Sequence, residues 1–442
     1  MSRRTVMCAL AAAFLIVAPA ARGGLDQGKK PADAYPSDVA SSWFDTLYDV
    51  VKTEKTPPPP ASRIYGITSV ALYESIVRGS TGNRSLVGQL NDLASLPLPR
   101  SEKKYHWPAV ANSALARVIR GLYPTASQAS MDLINAREQA FASRFQMVVP
   151  GPVYTQSAVL GRDVANAVLG WAATDGFSTH NNCPYVPTPV QGAWAPTPPS
   201  FSPNPLQPCW GQIRPMVLGS GDECAAPGNP TFSTDPSSEF YAAALEVYNT
   251  GVNLTPEQKT IAGYWADGAG STGTPPGHWI ALVGQISRNN GLSLMGSAEA
   301  FARVGIAVHD AFIECWHTKY VYNLERPVTY IRDHIDPAWS SYIATPAFPS
   351  YHSGHSTQSG AASTVLTDLF GIMSFTDTTH LDHGLVPPQS PRSFSSFEEA
   401  AGEAAISRLY GGIHYAFDNN DGLASGQCIG DRIHERVQFR ED

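Results

Sequence analysis

Three short stretches of the chain carry residue types suited to gripping an anion and moving protons beside it. The first is Lys319, followed after six residues by Arg326 and Pro327. Seven positions are two helical turns, so a helical reading puts both cations on one face, converging on one anion, with a break at Pro327. The second is Phe348-Pro349-Ser350-Tyr351-His352-Ser353-Gly354-His355-Ser356, which runs into the small-residue stretch TQSGAASTVLTDLF. A Ser-Gly-His turn at a helix start offers a hydroxyl, free backbone N–H groups and the positive end of the helix dipole, and His355 adds a proton donor or acceptor. The third is Ser407-Arg408, then Gly411-Gly412, then His414 and Asp418. The glycines let the chain fold back so that Arg408 and His414 face one site, with Asp418 placed to orient the imidazole.

Each stretch alone has an ordinary reading: cations on a solvated helix face, a capping turn with a surface histidine, a polar loop. Three in order, each delivering cations or imidazoles beside a helix break, point to one oxyanion cradle made of Lys319, Arg326, Ser353, Gly354, His355, Arg408 and His414.

The elements that must position this cradle read as helices. Residues 62–78, 126–146, 156–174 and 294–317 repeat apolar residues at three- and four-residue spacing, and alternating strand patterns are scarce. Thr255-Pro256-Glu257-Gln258 has the residues of a capping box and predicts a helix start. Residues 294–316 are apolar on nearly every side, as a central bundle helix must be, and lead straight to Lys319; His309, Asp310 and Glu314 within them suit paired core groups or support for the site equally. The fold class is therefore all-α, a helical bundle of two four-helix-bundle-like halves, over residues 21–175 and 236–442. Between them, residues 176–235 are rich in Pro, Gly and Ser and cannot sustain helix, but Trp194, Trp210 and Tyr185 offer anchors for an ordered loop.

The whole-chain balance narrows the partners. With 43% hydrophobic and 15% charged residues the chain has the composition of a packed globular protein. A net charge of -8 with no long Lys/Arg run argues against nucleic acid, whereas local cations in an acidic chain suit a small anion. Residues 1–20 pair Arg3-Arg4 with an apolar run and Ala18-Pro19-Ala20, the order of a cleaved export signal, which predicts a periplasmic or secreted protein with no later membrane span. After that leader, Cys183, Cys209, Cys224, Cys315 and Cys428 are an odd set, so at least one thiol stays free, and a disulfide is expected within the Cys183, Cys209 and Cys224 trio.

In spacing and order the three motifs resemble those of the vanadium-dependent haloperoxidases, whose site is shared by type 2 phosphatidic-acid phosphatases. The segments RIYGITSVALYESIV, WAPTPPSFSPNPLQPCWG, WADGAGSTGTPPGHW, VHDAFIECWHTKYVYNLERPVTYIR and GGIHYAFDNNDGLASGQCIG look like the bacterial, exported branch. The resemblance implies that Lys319, Arg326 and Arg408 neutralise vanadate oxygens, that Ser353 and the Gly354 N–H complete the cradle, and that His414 bonds the vanadium. It implies His355 as acid–base group toward hydrogen peroxide, Lys319 as the electron-withdrawing partner, and Asp267 as a carboxylate that holds an arginine. Trp316 and Phe348 look like the aromatic wall of the halide pocket in chloroperoxidases, and bromoperoxidases more often have histidine where Phe348 stands. His352 is a departure from many relatives. The implied activity is oxidation of chloride, bromide or iodide by hydrogen peroxide to hypohalous acid, which halogenates a small organic acceptor. Two rivals use the same cradle: an acid phosphatase with His414 as nucleophile, His355 as acid and Asp418 orienting His414, and a non-catalytic oxyanion-binding or scaffold protein, for which a complete acid–base pair is unnecessary.

Overall fold

The computed structural model describes residues 26–186 and 190–441, so the leader expected over residues 1–20 lies outside the described residues. Among those residues the chain forms α-helices joined by loops, with one short antiparallel strand pair, Phe375–Asp377 against Arg392–Phe394. The stretches with helical spacing are helices: Pro58–Ile76, Gln128–Val148, Gly151–Ala172 and Leu294–Tyr322. At Thr255 the capping box closes, with Gln258 N donating to Thr255 Oγ1 at 3.2 Å and Thr255 N to Gln258 Oε1 at 2.9 Å. No helix among the described residues is long and apolar enough to cross a membrane.

The helix Leu294–Tyr322 is the axis of the molecule. It starts at Ser293, whose hydroxyl accepts from Gly296 N at 3.0 Å, and is buried along most of its length down to Lys319. A helix apolar all round must be enclosed, and Pro58–Ile76 encloses one side through a glycine crossing. A Cβ at Gly66 would stand 2.9 Å from Gly305 O, and one at Gly305 2.4 Å from Ser69 Oγ. One apolar cluster running from Ala32 to Phe439 joins helices from both sides of the Pro/Gly-rich stretch.

The axial helix stops at Asn323, which takes the left-handed conformation (φ 49°), and Arg326 is the N-cap of the next helix, Pro327–His334. Lys319 and Arg326 therefore do not share one helix face, contrary to the seven-residue reading. Asparagine tolerates the left-handed cap, and Pro327 forces Arg326 into an extended conformation (ψ 151°), so the chain turns between the two cations.

A second helix pair carries the remaining cradle residues. Gly354–Phe370 and Ala416–Arg436 lie backbone to backbone, because Gly360, Gly422 and Gly426 leave no side chain between them. This brings the Ser353 end of one helix beside the Asp418 end of the other, with Ser353 N donating to Asp418 O at 3.0 Å. A Cβ at Gly426 would fall 2.1 Å from Thr357 O and 2.8 Å from Ala361 N, both backbone atoms. Gly426→Ala is therefore expected to push the pair apart, costing about 1–3 kcal/mol; a melting curve that coincides with wild type would refute the tight crossing.

The described residues between 176 and 235 hold only short helical turns, yet they are ordered. Trp194 N donates to Asn323 O at 2.7 Å and Leu206 N to Ala347 O at 2.8 Å, and Trp210 is fully buried. Asp310 of the axial helix receives the N–H groups of Met216, Val217 and Leu218 at 2.7, 2.8 and 3.0 Å, and His309 Nδ1 at 2.9 Å. These two axial residues thus serve the fold. The expected disulfide within the cysteine trio is Cys183–Cys209; Cys224 pairs with Cys428 and Cys315 is a buried free thiol.

Candidate active site

The three stretches converge at the bottom of one cavity of about 310 Å³. Gly354, His355, Arg408 and His414 line it, while Lys319, Arg326 and Ser353 are fully buried residues of the same cluster. His414 is fixed at both ring nitrogens. Nδ1 lies 2.7 Å from Asp418 Oδ2, and Nε2 lies 3.0 Å from Arg326 Nη1. A guanidinium only donates, so Nε2 carries the lone pair and the proton sits on Nδ1, toward the carboxylate. Asp418 also receives Ser350 Oγ at 2.5 Å and Tyr415 N at 3.3 Å.

Arg326 reaches the site from its N-cap position, donating to Phe348 O and Ile413 O, both at 2.8 Å. Lys319 donates to Pro349 O at 3.1 Å, Ser350 O at 2.8 Å and His352 O at 2.5 Å. An ammonium has three donors, so carbonyls take all of them and Lys319 acts on the site through its charge. Arg408, in the last turn of Phe397–Tyr410, donates to Ser407 Oγ at 3.0 Å and Ala262 O at 3.3 Å. Ser353 caps its helix by accepting from Ser356 N at 3.3 Å, which puts the Gly354 and His355 N–H groups in the first turn, where helices leave donors open.

Burial sets the protonation states. Burial first, then the Arg326 and Lys319 charges, hold His414 well below the usual histidine range; burial, then Arg408, does the same to His355. Both rings are neutral at neutral pH. Burial pushes Lys319 down to about 7, and Arg326 and Arg408 down to about 10. The cations are thus crowded and poorly solvated, a state that an anion relieves. Arg326 Nη2 and His355 Nε2 are buried with no hydrogen-bond partner. An unmet buried donor such as Arg326 Nη2 costs about 1–3 kcal/mol, so an ion rich in acceptor oxygens fits this site and a metal cation does not.

Two aromatic rings wall part of the cavity. Trp316 and Phe348 line the cavity with ring centroids 4.9 Å apart, and Trp316 Nε1 donates to Leu206 O at 3.2 Å. Phe312, Pro346 and Ile413 complete an apolar wall that sequence reasoning missed, as apolar residues give no signal of facing a cavity instead of the core. Ser350 was visible within the quoted motif but without its role. His352 turns away from the cavity: Nε2 meets Glu314 Oε1 at 3.1 Å and Nδ1 meets Thr357 Oγ1 at 2.9 Å. Asp267 Oδ2 takes His278 Nδ1 at 2.9 Å, and the carboxylate acts on Arg408 through its charge.

Comparison with known proteins places these features. Residues 299–441 match the family model of the VCPO second helical-bundle domain. The chain is 32% identical to a bacterial vanadium-dependent iodoperoxidase of known crystal structure, with a TM-score of 0.85 over 94% of this chain and 99% of that one. It is 25% identical to the vanadium chloroperoxidase of Curvularia inaequalis over 82% of this chain and 75% of the relative. A vanadium-dependent bromoperoxidase of Ascophyllum nodosum is 31% identical over 37% of this chain and 28% of its own length.

Proposed function

The chain belongs to the vanadium-dependent haloperoxidase family, and we propose that its buried cradle holds vanadate and oxidises halide with hydrogen peroxide to hypohalous acid. The observation that carries this reading is the donor set: two guanidiniums with the Lys319 charge beside them, two helix-start N–H groups and a serine hydroxyl around one unprotonated histidine nitrogen. Vanadate, when bound, supplies the Lewis acidity that activates peroxide toward halide. The chain's own groups do the rest. Arg326 and Arg408 neutralise the anion and Lys319 draws charge from it, while Ser353 Oγ and the Gly354 N–H fix its orientation. His414 Nε2 would be the vanadium ligand, kept unprotonated by the Nδ1–H bond to Asp418, and Arg326 Nη1, which it accepts from in the empty site, would turn to the anion. His355 Nε2, neutral and unpartnered, would accept a proton from peroxide. Trp316 and Phe348 keep water from the halide and leave room for a small organic acceptor.

Two disulfides support an oxidising compartment, consistent with export. The test is direct: strip the purified protein, add orthovanadate, and assay bromide and iodide oxidation with peroxide beside hydrolysis of an aryl phosphate. Halide oxidation that depends on added vanadate is expected. Phosphate ester hydrolysis that vanadate merely inhibits, without halide oxidation, would establish the phosphatase instead.

A further inference from the structure

A buried knot of ionisable groups adjoins the cavity wall at Asp267. His278, near the start of Thr274–Asn289, puts Nδ1 2.9 Å from Asp267 Oδ2 and Nε2 2.7 Å from Asp377 Oδ2. All three side chains are at most 1% exposed. A neutral imidazole has one N–H and one lone pair, so it satisfies only one of two facing carboxylates; the imidazolium donates to both. Trp265 stacks on the ring at 4.6 Å and 20°, and Thr379 N holds Asp377 Oδ1 at 2.9 Å. His380 has one close acceptor, Tyr264 O at 2.7 Å from Nε2, and stands 4.0 Å from Asp267 Oδ1, the pattern of a neutral ring.

What the knot does follows from Arg408. The guanidinium's hydrogen-bond partners, Ser407 Oγ and Ala262 O, are neutral, and the carboxylate that acts on its charge is Asp267. Asp267 lines the same cavity as Arg408 and His355, and its Oδ1 is buried without a hydrogen-bond partner. A carboxylate so desolvated takes up a proton unless a neighbouring charge prevents it. The His278 imidazolium is that charge, and Asp377 keeps it protonated. Across Asp267, Asp377, His278 and Arg408, two negative charges then meet two positive ones.

We propose that Asp377, His278 and Asp267 form a positioning relay, in which the doubly bonded imidazolium holds Asp267 as a fixed carboxylate that keeps the Arg408 arm of the cradle charged and in place. The relay rests on the oxyanion reading above and extends it to residues that touch neither anion nor peroxide. Asp267, His278 and His380 also bring donor atoms within 4.8 Å of one another, the spread of a metal site. A divalent ion there would displace the proton and leave Arg408 without a net negative neighbour, so a proton is the better occupant.

The experiment is a double-mutant cycle read by calorimetric titration of the stripped protein with orthovanadate. His278→Gln is expected to weaken binding by about 10- to 100-fold, as loss of an outer partner does. In an Arg408→Ala background the same substitution should add less than about twofold, because the relay has nothing left to act on. Asp377→Asn follows the same pattern more weakly, and takes its place in the cycle should His278→Gln not fold. Equal losses in both backgrounds overturn the relay alone. A stoichiometric divalent metal in the enzyme as purified, lost on chelation together with vanadate affinity, overturns it as well. Wild-type protein that binds no vanadate overturns the oxyanion reading, and the relay with it.

Discussion

His414→Ala is expected to abolish vanadate-dependent halide oxidation and to weaken vanadate binding by at least about 100-fold. The reason lies in the tautomer. Nδ1 donates to Asp418 and Nε2 accepts from Arg326, so the ring presents one lone pair in a site otherwise furnished with donors. Arginines and helix N–H groups hold an anion by charge and hydrogen bonds, but they cannot replace a nitrogen that bonds the metal. Asp418→Asn keeps the shape and removes the acceptor that fixes the tautomer; it should cost less, about 10- to 100-fold. Ser350, which bonds the same carboxylate oxygen at 2.5 Å, should cost less again when changed to alanine. The order of the three losses is the measurement that matters. Calorimetric vanadate affinities in which Asp418→Asn falls further than His414→Ala would remove the histidine from its role as ligand.

The parts of this site that sequence made legible are those governed by local rules. A Ser-Gly-His turn is a helix start whatever lies around it, and Ser353 caps Gly354–Phe370 as that turn requires. Gly411-Gly412 allows the fold-back that puts Arg408 near His414, with Gly412 at a φ of 73°. Lys319 and Arg326 show the limit of such reasoning. A seven-residue interval suits one continuous helix and also a helix, a break and a cap, and only Asn323 beside Pro327 distinguishes them. Pairings made by distant segments left no mark at all. Asp377 comes from a two-stranded hairpin 99 residues after His278, and nothing near it in sequence resembles a site. Cys224 reaches Cys428 across 204 residues for the same reason: the turn that carries Cys224 and the helix that carries Cys428 are brought together by the core, not by the chain between them. Asp267 was legible as a residue near the arginine but not as the end of a relay, since its partner His278 reads as one more polar group in a helix start.

The second large effect is a dependence on pH that Lys319 imposes. Burial pushes its amine down to about 7 from the ordinary 10.5, so in the ligand-free protein the cation is half lost at neutral pH. An oxyanion in the cradle favours the charged form, and binding above pH 7 must therefore draw a proton from solvent. Affinity for vanadate should fall as pH rises from 7 to 9, by up to about tenfold per unit. In Lys319→Met the cation is absent throughout, so affinity should be low at pH 7 and lose this part of the slope; titration of vanadate itself is common to both proteins and cancels in the comparison. The stability of the empty fold carries the opposite sign. Between about 7 and 10.5 the unfolded chain keeps the proton that the folded chain has released, so unfolding free energy rises with pH across that window. Below pH 7 both forms are protonated and the penalty of burying the ammonium is present in full. Wild type should thus gain thermal stability from pH 7 to 9 while it loses affinity, and Lys319→Met should lack the Lys319 part of both trends. Parallel pH slopes of affinity in the two proteins would mean that Lys319 stays charged throughout, held by the carbonyls of Pro349, Ser350 and His352 that now surround it.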